Sequence, residues 1–128
     1  MQKELIKYKA FISKFDEERG VFMDAAASKE LESIKQAILD TVNAYEIYLF
    51  GSHVYGTTQK DSDFDIYVVI PDDSMRPIEA MQKISRAISR KNIRSGDIIV
   101  QKASVFNQRK QLPTLERTIL TDGVKLHG

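Results

Sequence analysis

Two pairs of residues near the middle of the sequence have the types and spacing that phosphate chemistry requires. The first pair, Asp63 and Asp65, alternates in "DSDFDIYVVI" at the start of an apolar run. Residues i and i+2 of a strand project from the same face, so the two carboxylates would lie side by side. Such carboxylates repel each other, and a hard divalent cation, Mg²⁺ or Mn²⁺, relieves the repulsion. The pattern predicts a metal site, and the alternative is a solvated turn in which the aspartates cap backbone N–H groups.

The second pair, Gly51 and Ser52, directly follows the apolar run "YEIYLF". A turn at this place has free backbone N–H groups that can receive an oxyanion, and glycine lets a phosphate approach the backbone closely. We therefore expect a phosphate-binding turn and the metal carboxylates to meet at one edge of the sheet. His53 is more typical of a polar lining residue than of a base or ligand, so it is left out of the predicted catalytic set.

Two other motifs overlap this region, and each lacks a required residue. "GSHVYGTT" approaches the P-loop pattern G-x-x-x-x-G-K-[ST], but Thr57 stands where the lysine is needed. "DSDFD" imitates the start of an EF-hand loop, yet Ile66 occupies the glycine position and Asp72 the final glutamate position. Neither a P-loop nor a calcium-sensing loop is expected.

Hydrophobic periodicity indicates the elements that must position these residues. Apolar side chains recur at helical spacing in residues 5–15 and 31–42, and Ser28 is placed to cap the second of these helices. Further along, the pattern predicts, in order, strands at 45–50 and 64–70, a helix from Pro77 to about Arg90, a strand at 96–100, a short helix at 104–111, a helix between Pro113 and Gly123, and a short strand at "VKL". In the helix after Pro113, the side chains expected to face the core are Leu115, Ile119 and Leu120.

This order of elements predicts the fold class α/β (α+β), with a small mixed sheet and helices on one face. The chain has 128 residues, of which 42% are hydrophobic, and no internal repeat or linker. We therefore expect residues 1–128 to form a single domain with an N-terminal helical extension at about 1–28. The apolar stripe of the extension is typical of a core, and the alternative is a docking surface for a partner or for a second copy of the chain.

Composition bears on partners and location. The chain has 19 basic and 18 acidic residues, so its net charge does not favour nucleic acid or an anionic membrane. The absence of cysteine excludes disulfides and thiolate-bound metals. No run approaches the roughly 18 apolar residues of a spanning helix, and no signal peptide precedes "MDAAAS", so a cytoplasmic location is expected. The basic run Arg86, Arg90, Lys91 and Arg94 is interpreted as a solvated face, with contact to nucleic acid or to a triphosphate as the alternative.

The motif "FGS", followed after ten residues by "DFD" on a strand, resembles the signature of the polymerase β superfamily of nucleotidyltransferases. The short form "GSHVYG…DSDFDIYVVI" is similar to that of the minimal nucleotidyltransferases (the MNT type), and the resemblance extends from Tyr45 to about Val100. It implies a nucleotidyltransferase-like fold and a Mg²⁺-dependent transfer of a nucleoside monophosphate from an NTP to an acceptor hydroxyl. The expected nucleoside monophosphate is AMP, and the expected NTP is ATP.

The resemblance also implies roles for individual residues. It implies a third carboxylate on a later strand, for which Asp97 in "GDIIV" is the matching residue; a turn aspartate is the alternative interpretation of Asp97. Asp63, Asp65 and Asp97 would be the metal ligands and catalytic residues. Gly51 and Ser52 would bind the β- and γ-phosphates. Family members carry a basic residue at about the position of Tyr55, and this sequence departs from them there.

The resemblance further implies a partner. Minimal members commonly act with a separate helical protein of the HEPN kind, and some transfer AMP to a tyrosine of that partner. The alternative is a non-catalytic, antitoxin-type module that neutralises a helical toxin by binding it stoichiometrically.

Overall fold

The computed structural model describes residues 25–51, 64–93 and 96–128. Within these ranges the elements are α1 (Ala25–Thr41), β1 (Glu46–Phe50), β2 (Asp65–Ile70), α2 (Pro77–Arg90), β3 (Ile98–Lys102), α3 (Ala103–Arg109), α4 (Leu115–Asp122) and β4 (Val124–His127). The predicted order of elements from residue 31 onward is confirmed. The predicted helix in residues 5–15 lies outside the described residues. The predicted cap at Ser28 is wrong. Helix α1 already includes Ala25, so Ser28 lies within the helix rather than at its N-terminal cap, and Ser28 is buried in the protein.

The four strands form one mixed sheet in the order β3-β2-β1-β4. β1 pairs antiparallel with β2 and with β4, whereas β2 and β3 are parallel, with Ile66 opposite Ile98. A parallel pair needs a crossover connection, and α2 supplies it between β2 and β3. The predicted α/β class with a small mixed sheet flanked by helices is confirmed.

Helices cover both faces of the sheet, so the expectation of helices on one face only is wrong. On the first face, α1 and α2 pack over the side chains of Ile47, Leu49, Ile66, Val68, Ile70, Ile98 and Val100. On the second face, Phe106 of α3 and Ile119 of α4 pack over Tyr48, Tyr67 and Val69. The reason is visible in β2, where every residue after Asp65 is buried. A strand buried on both sides requires a layer of helices on each side.

Helix α2 begins and ends where its local sequence predicts. Pro77 occupies its first turn, where a missing N–H is harmless, and Arg90 lies in its last turn, where a cation offsets the helix dipole. Its buried side chains are Ala80, Ile84 and Ile88, which share one face at a spacing of four residues. Asn92 follows in a left-handed conformation with a φ of 54°, which asparagine tolerates better than most residues. The chain is thereby returned towards Gly96 and the start of β3.

Helix α4 is rotated relative to the prediction. Thr114 caps it by accepting a hydrogen bond from the Arg117 N–H at 3.3 Å. Ile119 is buried as expected, but Leu115 and Leu120 are 41% and 47% exposed, and Glu116 is buried in their place. The prediction that these two leucines face the core is therefore wrong.

The burial of Glu116 follows from two partners on other elements. The Tyr67 hydroxyl donates to its Oε2 at 2.8 Å, and the Arg109 Nε–H donates to its Oε1 at 3.0 Å. Burial raises the pKa of Glu116, but these hydrogen bonds and the charge of Arg109 outweigh it and hold the pKa below 4.5. Burial and the carboxylate of Glu116 together raise the pKa of Tyr67 well above 10. The charge-assisted hydrogen bond between Tyr67 and Glu116 thus joins α4 to β2 on the second face.

No helix within the described ranges is long and apolar enough to cross a membrane.

Candidate functional site

The candidate site lies at the end of the sheet where β1 ends and β2 begins. Asp65 is the first residue of β2 and is opposite Phe50, the last residue of β1. On its other side, the parallel register places Asp97 next to Asp65, one position before the pair Ile66 and Ile98. Asp65 is therefore flanked by Gly51 on one side and by Gly96 and Asp97 on the other.

The Asp65 carboxylate occupies a slot between two glycines. A Cβ atom on Gly51 would overlap its Oδ2, and a Cβ atom on Gly96 would overlap its Oδ1. Gly51 also has a φ of +85°, a left-handed conformation that side-chain-bearing residues rarely adopt. We infer that glycine at these two positions creates the space in which the carboxylate lies.

Backbone hydrogen bonds hold the far side of this slot in place. The Asp97 N–H donates to Asp65 Oδ1 at 3.0 Å, which orients the carboxylate. The Gly96 N–H donates to the Phe64 carbonyl at 2.6 Å, and the Ile66 N–H donates to the Asp97 carbonyl at 2.9 Å. These bonds attach the segment before β3 to the start of β2.

Asp65 and Asp97 lie on the same face of the sheet. Asp65 precedes Tyr67 by two residues, and Asp97 precedes Ile99 by two, and both Tyr67 and Ile99 belong to the second face. Asp65 is half-buried and Asp97 is exposed. Two carboxylates on adjacent strands of one face form a set of hard oxygen donors, which fits Mg²⁺ or Mn²⁺.

Three of the residues predicted for the site, Gly51, Asp65 and Asp97, are thus brought together. The other two, Ser52 and Asp63, lie outside the described residues, as do His53 and Tyr55. Within the part of the chain that is described, no three His, Asp or Glu side chains converge as a metal-binding group. The roles assigned to Asp63, Asp65 and Asp97 as ligands stay predictions.

The residue that sequence reasoning missed is Gly96. The sequence pattern predicts Gly96 only as the first residue of the strand at 96–100, whereas its lack of a side chain leaves room for the Asp65 carboxylate 31 positions earlier in the chain. The available signal was weak: a glycine directly before the aspartate that was matched to the third carboxylate.

Comparisons with known proteins bear on the family and the fold of the chain. The family model described as a nucleotidyltransferase domain matches residues 31–125. A crystal structure of a Sulfolobus solfataricus protein, provisionally assigned as a nucleotidyltransferase, is similar with a TM-score of 0.51 and 25% identity over 76% of each chain. A structure described as a toxin-antitoxin with AMP-PNP has a TM-score of 0.47 and 26% identity, over 76% of this chain and 72% of that chain. Curated protein sequences provide no match.

The family model covers residues 31–125, which is most of the chain. The chain belongs to the nucleotidyltransferase domain family, which confirms the resemblance that was stated from "FGS" and "DFD".

Proposed function

We propose that this nucleotidyltransferase transfers AMP from ATP to a hydroxyl group of a protein acceptor, with Asp63, Asp65 and Asp97 as metal ligands. The observation that supports the proposal is the slot between Gly51 and Gly96, in which the Asp65 carboxylate is oriented by the Asp97 N–H. A salt bridge or a helix cap would account for an ordinary strand-end aspartate, but the described residues provide Asp65 with neither.

The two oxygens of Asp65 have different surroundings, and this suggests a division of roles. Oδ1 accepts the Asp97 N–H, whereas Oδ2 lies on the side of Gly51, next to the turn proposed to bind the phosphates. Asp65 would hold a divalent ion together with Asp63 and Asp97. A bound Mg²⁺ or Mn²⁺ would neutralise the triphosphate and stabilise both the attacking and the leaving oxygen.

The remaining roles follow from charge and position. Gly51 and Ser52 would bind the β- and γ-phosphates through backbone N–H groups and the serine hydroxyl. Asp97 is exposed beside Asp65 and would accept the proton of the acceptor hydroxyl. The acceptor oxygen then forms a bond to the α-phosphorus, the bond from that phosphorus to the α,β-bridging oxygen breaks, and pyrophosphate leaves.

The acceptor is proposed from the sequence resemblance, and the location from the composition of the sequence. A tyrosine of a HEPN-type helical partner in the cytoplasm is the first candidate, and the N-terminal segment of residues 1–28 is the candidate docking element for that partner or for a second copy. The domain boundaries proposed from the sequence, one domain over 1–128, are kept.

The test compares AMP transfer by the full wild-type chain with AMP transfer by the Asp65→Asn variant. Asparagine retains an acceptor for the Asp97 N–H, so we expect the fold to persist and transfer to fall by a factor on the order of 1,000. Asp73→Asn is the matched control, because Asp73 is an exposed aspartate beyond the opposite end of β2. Pyrophosphate release and a mass gain of one AMP on a HEPN-type partner are measured with ATP and Mg²⁺.

The possible results separate the alternatives. Equal transfer by wild type and Asp65→Asn would remove Asp65 from the catalytic set. No turnover with any nucleotide or partner would contradict the proposed reaction. Neutralisation of a toxic partner that persists in Asp65→Asn would indicate the stoichiometric, antitoxin-type function instead.

A further inference from the structure

The outer edge of β3 is unpaired within the described part of the chain, because β3 is the terminal strand of the sheet order. The Ile66 N–H donates to the Asp97 carbonyl, which sets the direction of the backbone groups along β3. Successive residues of a strand direct their N–H and C=O groups to alternate sides. Ile98 and Val100 therefore direct theirs away from β2, and these groups need hydrogen-bond partners.

A groove runs beside this edge. One wall is the chain from Gly96 to Ile99, and the other is formed by α2 through Met81, Gln82, Ser85 and Arg86. Gln82, Ser85 and Arg86 have the i, i+3, i+4 spacing of one helix face. Asp97, the residue proposed to accept the proton of the attacking hydroxyl, lines the same groove.

The groove is cationic on its helical side. Arg86 is exposed, and no ion pair of Arg86 is found among the residues that the structure describes. Arg90, one turn further along α2, is exposed in the same way. Lys83, in contrast, lies outside the groove and is 3.9 Å from Glu79. Positive charge on the helical wall of the groove favours an anionic occupant on that side, whereas Asp97 makes the opposite wall acidic.

The backbone groups decide which kind of anionic occupant fits. Outward N–H and C=O groups recur at every second residue of β3, a period that an extended peptide backbone matches. Addition of such a peptide as a further strand satisfies these groups, while neighbouring pockets select side chains. A peptide residue one or two positions beyond the segment that pairs with β3 would then lie beside Asp97, since a strand advances about 3.3 Å per residue.

We propose that the β3 edge and α2 form the docking site of the acceptor, and that the acceptor is an extended, acidic peptide segment which pairs with β3 and places its hydroxyl side chain at Asp97. This inference rests on the proposed function and specifies its acceptor. The reaction balances as above: the phosphorus–oxygen bond to the peptide forms, the bond to pyrophosphate breaks, and the hydroxyl proton goes to Asp97.

The experiment uses the full chain with ATP, Mg²⁺ and three synthetic peptides that contain one tyrosine. The first alternates valine and glutamate around the tyrosine, the second has lysine in place of glutamate, and the third is the first peptide with N-methyl groups on alternate backbone nitrogens. We expect kcat/KM to be about fivefold higher for the acidic than for the basic peptide, and Arg86→Glu to reverse this order. N-methylation should lower kcat/KM at least about tenfold, because it removes the backbone donors.

Lys83→Glu is the matched control, with the same charge change on the same helix outside the groove, and it should keep the preference for the acidic peptide. Unfolding of Arg86→Glu is followed in parallel, and because Arg86 is exposed we expect its stability to be retained.

Several outcomes would overturn the inference while leaving the proposed reaction intact. These are transfer to a protein partner that neither Arg86→Glu nor N-methylation affects, and equal effects of Arg86→Glu and Lys83→Glu. Preferential transfer to the 3′-hydroxyl of an RNA oligonucleotide would overturn both this inference and the proposed protein acceptor. A dimer that Arg86→Glu dissociates, with no effect of any peptide, would assign the edge to a second copy of the chain. Failure of the proposed reaction differs from all of these, because no acceptor of any kind would then receive AMP.

Discussion

Replacing Gly96 by alanine tests whether the slot around Asp65 determines activity. The new methyl group would overlap Asp65 Oδ1 and lie 3.1 Å from the Phe64 carbonyl oxygen, so the carboxylate has to move. The movement breaks the hydrogen bond from the Asp97 N–H, and a hydrogen bond to a charged group contributes about 1.5–3 kcal/mol. A displacement of a functional group by about 1 Å lowers the rate on the order of a hundredfold.

We therefore expect Gly96→Ala to lower kcat/KM on the order of a hundredfold and to raise the Mg²⁺ concentration needed for half-maximal activity. The loss of unfolding free energy should stay at about 1–3 kcal/mol, because a side chain can yield where a backbone cannot. Pyrophosphate release at varied Mg²⁺ and urea unfolding measure the two effects separately.

Gly123→Ala is the matched control for this substitution. A Cβ atom on Gly123 would lie 2.5 Å from the Ile119 carbonyl oxygen and 3.1 Å from that of Leu49. Both are backbone atoms, so the collision should reduce stability by about 2 kcal/mol or more. Because Gly123 does not contact Asp65, activity per folded molecule should change less than about twofold. The reasoning is refuted if Gly96→Ala keeps its activity and Mg²⁺ dependence, or if Gly123→Ala loses activity to the same extent.

Three further predictions concern α4. Ile119→Ala should lower the unfolding free energy by about 2–5 kcal/mol and Leu120→Ala by less than about 0.5 kcal/mol, because Ile119 is buried and Leu120 is exposed. Equal losses of unfolding free energy, measured by urea unfolding, would contradict the orientation of the helix. Thr114→Ala should cost about 1 kcal/mol through loss of the cap, whereas Thr114→Ser, which retains an oxygen for the Arg117 N–H, should cost much less. Glu116→Gln should destabilise the protein by about 1–3 kcal/mol at pH 7. Because the folded-state pKa of Glu116 lies below 4.5, its stabilising effect is complete above that pH and is lost as the pH falls through the folded value. The urea midpoint of Glu116→Gln should therefore fall less steeply on acidification than that of the wild type, and parallel curves would contradict this assignment.

The elements that sequence reasoning predicted correctly depend on local patterns. Pro77 and an apolar stripe that includes Ile84 and Ile88 predict α2, since helix ends and apolar stripes are properties of neighbouring residues. Ile78, which the spacing also places on this stripe, is exposed, and Ala80 is buried instead. The errors concern α4, the helix layers and the predicted cap at Ser28. Glu116 is buried because a tyrosine 49 positions earlier donates to it, and no pattern within α4 contains that information.

The sequence by itself determined the family, and the resemblance predicts which carboxylates hold the metal. "FGS", its ten-residue spacing to "DFD", and the apolar run after Asp65 are local features, and the family model agrees with them. Only the tertiary structure decided that Gly51 and Gly96 enclose Asp65, that the Asp97 N–H orients it, and that β3 lies at the edge of the described sheet beside α2. The physical reason is the pairing of strands. It brings Gly51 and Gly96, which are 14 and 31 positions from Asp65, into contact with it, and it follows from the register of the sheet rather than from any local pattern.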